Sequence, residues 1–219
     1  TPRTLITHGD VFRYIIPNQN INQWTQVGFV DLEGQQGATS LGYGDGDDTT
    51  LLPLGTPSVF LRKNFSISDI NAIQTLILDV DYDDSFVAYI NGVEVARANI
   101  DGTPPSYDAT SNIDREAVIY QGGLPERFIL ENPLELLQLG ENVLSIQVHN
   151  ISSTSSDLST IPFLSATYTQ PTTEGIVPPD LLSFKKTNFH TNFKISSSSE
   201  TLYLFDSNQV LVDSIQIEN

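Results

Sequence analysis

Three aspartates crowd one glycine-rich stretch, EGQQGATSLGYGDGDDTT at residues 33–50: Asp45, Asp47 and Asp48, interleaved with Gly42, Gly44 and Gly46. Carboxylates set among free backbone carbonyls suit a hard cation such as Ca²⁺, which needs several oxygens at once. The spacing is like that of a calcium loop. It lacks the glutamate that an EF-hand carries at its twelfth position, and its flanks are not helical. The expected ligand set is therefore Asp45, Asp47 and Asp48, completed by Asp84 or Asp157 from neighbouring loops. Turn and capping chemistry favours the same residue types and stands as the alternative.

A second chemistry is open to the aromatic residues. Tyr43, Tyr107 and Tyr120 lie in or beside loops, and the apolar face of a sugar stacks on such rings. Arg97, Asn99 and Arg115 are positioned in sequence to add hydrogen bonds. Each of these residues alone also reads as ordinary surface. Covalent or acid–base catalysis has no comparable signal. His8, His149 and His190 are far apart, and no HExxH, GxSxG or phosphate-binding glycine loop occurs. Carboxylate pairs arise by chance in so acidic a chain. His149 falls out of phase with the apolar residues of its segment, which predicts an exposed or hydrogen-bonded ring. The chain is expected not to be an enzyme.

Composition narrows the partners. Twenty-seven acidic residues against ten basic ones give a net charge of −17. Such a surface repels phosphate backbones, so nucleic acid is excluded as an expected partner. There is no cysteine, which removes disulfide frameworks and thiolate metal sites but leaves secretion open. No apolar run approaches the ~20 residues that span a bilayer. The start at Thr1-Pro2 is that of a processed chain or an excised fragment.

The candidate residues must be held by an all-β framework, organised around Leu76–Arg97. Leu76, Leu78, Val80 and Tyr82 alternate with Ile77, Asp79 and Asp81, the period of a strand with one buried face. Asp83 and Asp84 interrupt it. Phe86–Ile90 then leads to Asn91-Gly92, which favours a two-residue type I′ hairpin. That turn pairs Ile90 with Val93, Ala88 with Val95 and Phe86 with Arg97. It predicts Phe86, Ala88, Ile90, Val93 and Val95 on the core face, with Tyr89 and Glu94 opposite. Further strands are expected at Val11–Ile16, Ser58–Phe65, Val118–Tyr120, Arg127–Leu130, Gly140–Asn150 and Ile161–Tyr168. Short helical turns are expected after Ser68 or Asp69 and over Pro133–Leu139. Residues 33–50 and 98–117 read as loops, and Trp24, the only tryptophan, as a core plug. Gln170–Pro179 has the composition of a linker. The expected units are 1–169, a linker 170–179, and 180–219 with three short strands at Phe193–Ile195, Thr201–Phe205 and Val210–Ile217.

Five stretches in this order, WTQVGFVD, SLGYGDGDD, FLRKNF, DYDDSFVAYINGVEVAR and GENVLSIQVHN, resemble the galactose-binding-like jelly-roll modules of large secreted bacterial proteins. The resemblance covers about residues 10–168. The later stretch FHTNFKISSSSETLYLFDSNQVLVDSI resembles the last strands of bacterial lamin-tail-type domains and the segment preceding the kinase-like domain of spore-coat-type surface proteins. The resemblance implies a β-sandwich of about eight strands, non-catalytic, often carbohydrate-binding and often holding a structural Ca²⁺. It implies a secreted or cell-surface setting, a glycan or cell-surface polysaccharide as partner, and adjoining domains. A structural spacer or adhesion module that positions a phosphoesterase- or kinase-like neighbour is the rival reading.

Overall fold

The computed structural model describes residues 1–30, 34–184, 200–205 and 210–217. In chain order its strands are β1 (Pro2–Ile6), β2 (Val11–Ile15), β3 (Gln35–Ala38), β4 (Leu41–Tyr43), β5 (Thr50–Leu51), β6 (Ser58–Ile67), β7 (Ile73–Asp83), β8 (Ser85–Ile90), β9 (Val93–Ala98), β10 (Glu126–Leu130), β11 (Gly140–His149), β12 (Leu158–Tyr168), β13 (Glu200–Phe205) and β14 (Leu211–Ile217). One helical turn, α1 (Pro133–Leu136), and three 3₁₀ turns complete them. The fold is an all-β sandwich. Its first sheet runs β10-β7-β12-β4-β5, with β1 also on β12, and its second β3-β2-β6-β11-β8-β9. All pairings in these sheets are antiparallel except that of β4 with the two-residue β5.

Between the sheets, Leu76, Leu78, Val80 and Tyr82 of β7 meet Phe86, Ala88 and Ile90 of β8 and Leu144, Ile146 and Val148 of β11. The period-two reading of these strands is correct, but both of their faces are buried. Outside the second sheet, Trp24 stacks on Phe60 with ring centroids 4.6 Å apart, and Val87, Tyr89 and Ile100 join them. Trp24 is thus a plug, as expected, on an outer layer rather than in the main core. Outside the first sheet, Ile161 and Phe163 are covered by Leu182.

Four expectations need correction. The hairpin turn pairs Ile90 with Val93 and Tyr89 with Glu94, but a bulge then matches Ala88 to Ala96 and Phe86 to Ala98. One extra residue on the bulged strand moves the inward position from Val95 to Ala96. Val93 is therefore 48 % exposed, and Val95 is only partly buried against the core. The stretch 33–50 is not wholly loop, since β3, β4 and the first residue of β5 lie within it. Gly42 permits β4 to pair, because a Cβ there would overlap the Leu158 carbonyl oxygen. Val118–Tyr120 is no strand; Ile119–Gln121 forms a 3₁₀ turn. Gln170–Pro179 does not hang free. Thr4 and Ile176 exchange backbone hydrogen bonds of 2.9 and 2.8 Å, and Arg3 donates to the Glu174 and Gly175 carbonyls. The first compact unit accordingly extends over Thr1–Phe184.

The second unit, Lys185–Asn219, shows a two-stranded hairpin in which β13 pairs antiparallel with β14. The strand expected at Phe193–Ile195 and the turn at residues 206–209 lie outside the described residues. Among the described residues no helix is long and apolar enough to cross a membrane.

The register makes a stability prediction. Ile90→Ala should cost ~2–5 kcal/mol, since a fully buried side chain leaves a cavity. Val93→Ala at a half-exposed position should stay within about 0.5 kcal/mol. Equal losses for the two in denaturant titration would overturn the bulged register.

Candidate metal centre

The outer face of β7 carries Asp79, Asp81 and Asp83 in alternation, and Asp84 follows. All four are at most 2 % exposed. A buried carboxylate must find hydrogen bonds or charge. Asp79 faces its cross-strand neighbour Arg127, whose Nε donates to Oδ1 at 2.7 Å. Asp81 accepts from the backbone N–H groups of Val118 and Ile119 at 2.7–3.0 Å. Asp84 accepts from the N–H groups of Arg115 at 2.8 Å and Ile151 at 2.6 Å. Asp83 differs: its Oδ2 is buried and has no protein partner.

Around Asp83 the chain gathers more negative charge. One carboxylate oxygen each from Asp45, Asp83, Glu116 and Asp157 all lie within 4.8 Å of one another. The four come from four separate segments: the loop after β4, the end of β7, the segment before the 3₁₀ turn at Ile119, and the residue before β12. Asp45 also keeps a buried oxygen, Oδ2, without a partner. Burial, then the neighbouring charges of Asp84 and Asp157, push the Asp83 carboxyl up to about 9. Burial and Asp157 push Asp45 up to about 6. Glu116 is also raised, by partial burial and then Asp157. Two unlike solutions relieve such a cluster: protons, or one multivalent cation. All-oxygen, all-carboxylate donors are the set that a hard cation takes. The cluster could hold a metal ion.

The sequence-predicted metal residues divide. Asp45 and Asp157 are brought together here. Asp84 points both oxygens at backbone N–H groups, so it braces loops; it lies against Asp83 but is outside the four-carboxylate group. Asp48 lies aside, its Oδ1 accepting from Ser159 Oγ at 3.4 Å, and burial and the charge of Asp47 raise it to about 7. Asp47 accepts from Ser40 Oγ through its backbone carbonyl and is outside the four-carboxylate group. Sequence reasoning missed Asp83 and Glu116. Asp83 was legible as the third member of the Asp79, Asp81, Asp83 alternation. Glu116 carries no local signal, because its partners are distant in sequence.

The residues predicted to bind sugar do not converge. Tyr43 is 2 % exposed, in the main core, with its hydroxyl accepting from Asn150 Nδ2 at 3.1 Å. No ring face remains for a ligand. Tyr107 packs beside the aromatic layer of the second sheet, whereas Tyr120 follows Ile119, which packs on the outer face of the first. Arg97 grips Glu94 through two hydrogen bonds of 2.6 and 2.7 Å and donates to the Ile100 and Gly102 carbonyls. Asn99, at φ +60°, donates to the Asp84 carbonyl at 3.0 Å. Arg115 lies over the Tyr82 ring at 3.7 Å. These polar residues build the framework. His149 is fully buried, its Nδ1 2.8 Å from the Ala109 carbonyl, and burial lowers it to about 4.

A different groove has the right chemistry for a small polar ligand. It encloses about 330 Å³ beside the β8–β9 hairpin and is lined by Trp24, Tyr89, Gln23, Thr25, Glu94 and Pro104, among others.

No family model and no curated protein matches the chain. Among solved structures, a β-glucuronidase from glycoside hydrolase family 2 is 15% identical over 99% of this chain and 25% of its own, with a TM-score of 0.49. Bacteroides uniformis β-glucuronidase is 14% identical over 76% of this chain and 18% of its own, with a TM-score of 0.49. A glycosyl hydrolase family 2 member from Bacteroides cellulosilyticus is 12% identical over 76% and 21%, with a TM-score of 0.48. The chain spans a quarter or less of the length of these proteins.

The carboxylate cluster predicts opposite pH responses with and without a cation. In chelator, Asp83, Asp45 and Asp48 are held above the ordinary carboxylate value, so folding favours their protonated forms. Their stabilising contribution is complete below about pH 4 and is lost as pH rises through about 6, 7 and 9. The melting temperature of chelated protein should therefore fall between pH 5 and 8. With excess Ca²⁺ it should be higher at pH 8, and the gap should widen with pH as protons cease to compete. Asp83→Asn should raise the chelated melting temperature at pH 8 and shrink the Ca²⁺ increment. Identical melting curves in chelator and Ca²⁺ at pH 8 would remove the centre.

Proposed function

We propose that this chain is a non-catalytic β-sandwich module of a larger secreted or cell-surface protein, held rigid by Ca²⁺ and binding glycan weakly. The observation that carries the reading is the convergence of four carboxylates on Asp83, a buried group with an unpartnered oxygen. A cation there ties together the loop after β4, the end of β7, the segment at Glu116 and the start of β12. Three of the four carboxylates are at least partly exposed, which suits an ion drawn from a millimolar extracellular supply, where modules bind Ca²⁺ with Kd of about 10⁻⁴–10⁻³ M. The glycan part is supported by the groove at Trp24 and Tyr89, whose walls mix aromatic and hydrogen-bonding groups. The adjoining domains of the larger protein are the remaining partners.

The rival reading, a spacer that positions a neighbouring domain without a small ligand, is favoured by one observation: Tyr43, Arg97 and Asn99 are all consumed by the framework. A lamin-tail-like role for the second unit stays part of the proposal and rests on the sequence resemblance alone.

Glycan arrays followed by calorimetry decide between module and spacer. We expect Kd near ~10⁻³–10⁻⁴ M, about −4 to −5.5 kcal/mol, as befits a shallow site, amplified where several copies act on one surface. Silence across neutral, acidic and plant-wall polysaccharides would leave the spacer. Turnover of any bound glycan would overturn the non-catalytic assignment.

A further inference from the structure

We propose that the groove on the outer face of the second sheet, at β2 and β6, is a site for a uronic acid unit of an acidic glycan, its carboxylate received by Arg13 and Lys63. This inference rests on the glycan-binding reading above and adds to it a further subsite and a ligand class.

The chain has ten basic residues against twenty-seven acidic ones. Three of the ten, Arg13, Arg62 and Lys63, line this one groove of about 480 Å³, a volume within the range of small-ligand sites. The register tightens the concentration. Arg13 of β2 stands directly opposite Arg62 of β6. Both lie on the face turned away from the main core, because Phe12, Tyr14 and Leu61 take the inner positions. The same row continues with Gln36 opposite Arg13 and Ser145 opposite Arg62, and neither carries a charge. Like charges directly opposite in a sheet are destabilising. An anion seated beside both cations turns that repulsion into attraction.

Access divides the three cations by role. Arg62 is 8 % exposed. Its Nη2 donates to the Gln26 carbonyl at 3.1 Å, and its guanidinium lies 5.1 Å from the centre of the Phe29 ring. It acts from the floor of the groove through its charge, not by contact. Arg13 and Lys63 are half-buried, whereas Gln36 and Asn64 are exposed. These four side chains reach solvent and can meet a ligand. Lys63 Nζ donates to the Val11 carbonyl at 3.1 Å, which holds it in place and leaves N–H donors over. Among the described residues, the carboxylates nearby are Asp10, 3.9 Å from Lys63 Nζ, and the exposed Glu141 of the lining. The three cations outnumber them. Charge elsewhere on this acidic chain is screened over about 8 Å at physiological salt.

The donors select the ligand class. A guanidinium matches a planar carboxylate with two parallel hydrogen bonds. The amides of Gln36 and Asn64 suit hydroxyls. Val11 and Phe29 add an apolar part to the lining. A uronic acid brings a carboxylate, hydroxyls and a C–H face together.

The test uses the full chain in chelator, so that no cation can bridge a uronate to the carboxylate centre. Hexagalacturonate, its methyl ester, cellohexaose and a sulfated galactan hexasaccharide are titrated by calorimetry. Hexagalacturonate should bind at least ~tenfold tighter than its ester, which keeps the sugar and loses the charge. Its binding should weaken as NaCl rises from about 0.05 to about 0.3 M. Arg13→Gln and Lys63→Gln should each erase most of the preference for the acid. Asn64→Asp places a negative charge at an exposed position and should erase it too, without lowering the melting temperature. Equal binding of acid and ester would overturn the site while glycan binding itself stands. So would acid binding unchanged in folded Lys63→Gln and Asn64→Asp. Binding of the acid that requires Ca²⁺ would place it at the carboxylate centre and overturn the groove. Tighter binding of the sulfated hexasaccharide would overturn the carboxylate class. No heat with any of the four, in chelator or in Ca²⁺, would overturn both this inference and the reading beneath it.

Discussion

The outer face of β7 sets the terms for the rest of this molecule. Four successive carboxylates, Asp79, Asp81, Asp83 and Asp84, are removed from water on a strand that also supplies the main core. Desolvating a carboxylate is costly, so each must be compensated by something brought to it. Asp79 fixes Arg127, which donates onward to the Leu182 carbonyl and lies 4.8 Å from the centre of the Phe184 ring. Asp81 fixes the 3₁₀ turn at Ile119 through two backbone N–H groups. Asp84 fixes both Arg115 and Ile151. Irregular segments that could not hold a position by apolar burial alone are thus pinned by charge–amide contacts. Asp83 is the exception, its Oδ2 left without a protein partner, and the candidate centre lies around it.

This division also explains why the two outer faces of the sandwich differ. Around β7 the first sheet is overlaid by segments recruited electrostatically, with Ile161 and Phe163 on β12 as the apolar component. The second sheet is overlaid by aromatic stacking of Trp24, Phe60 and Tyr89. A face closed by aromatic packing leaves grooves at its edges where hydroxyls and amides meet rings. On the face closed by carboxylates, one carboxylate from each of four segments converges. The two candidate sites are consequences of two ways of covering a sheet.

Much of the architecture was legible in sequence, because strand period and the Asn91-Gly92 turn are local. The alternation in Leu76–Tyr82 and in Leu144–Val148 located both central strands. The bulge at Ala88/Tyr89 was not legible, since Val93, Val95 and Ala96 are all apolar enough for either register. β4 was hidden by its glycines, which read as loop although Gly42 is required by a close strand approach. The candidate sites were legible only in residue type. Asp45 and Asp157 were named correctly as neighbours, but Asp83 looked like a strand breaker and Glu116 like loop. Tyr43 was misread because a tyrosine between glycines suggests exposure, while its strand carries it into the core. Contacts across a hundred residues leave no period for a sequence to display.

The acidic cluster also invites comparison with a hydrolytic carboxylate pair, since raised pKa values mark general acids. Geometry separates the two uses. A glycosidase must leave its two carboxyl groups about 5–5.5 Å apart or more, with a sugar ring between them. Here four ligand oxygens crowd within 4.8 Å, and the central one belongs to a residue 2 % exposed. A single small divalent cation fits that spacing and offsets half of the charge of the four groups. The raised pKa values follow from burial first and from the same crowding second, and a bound cation would offset both.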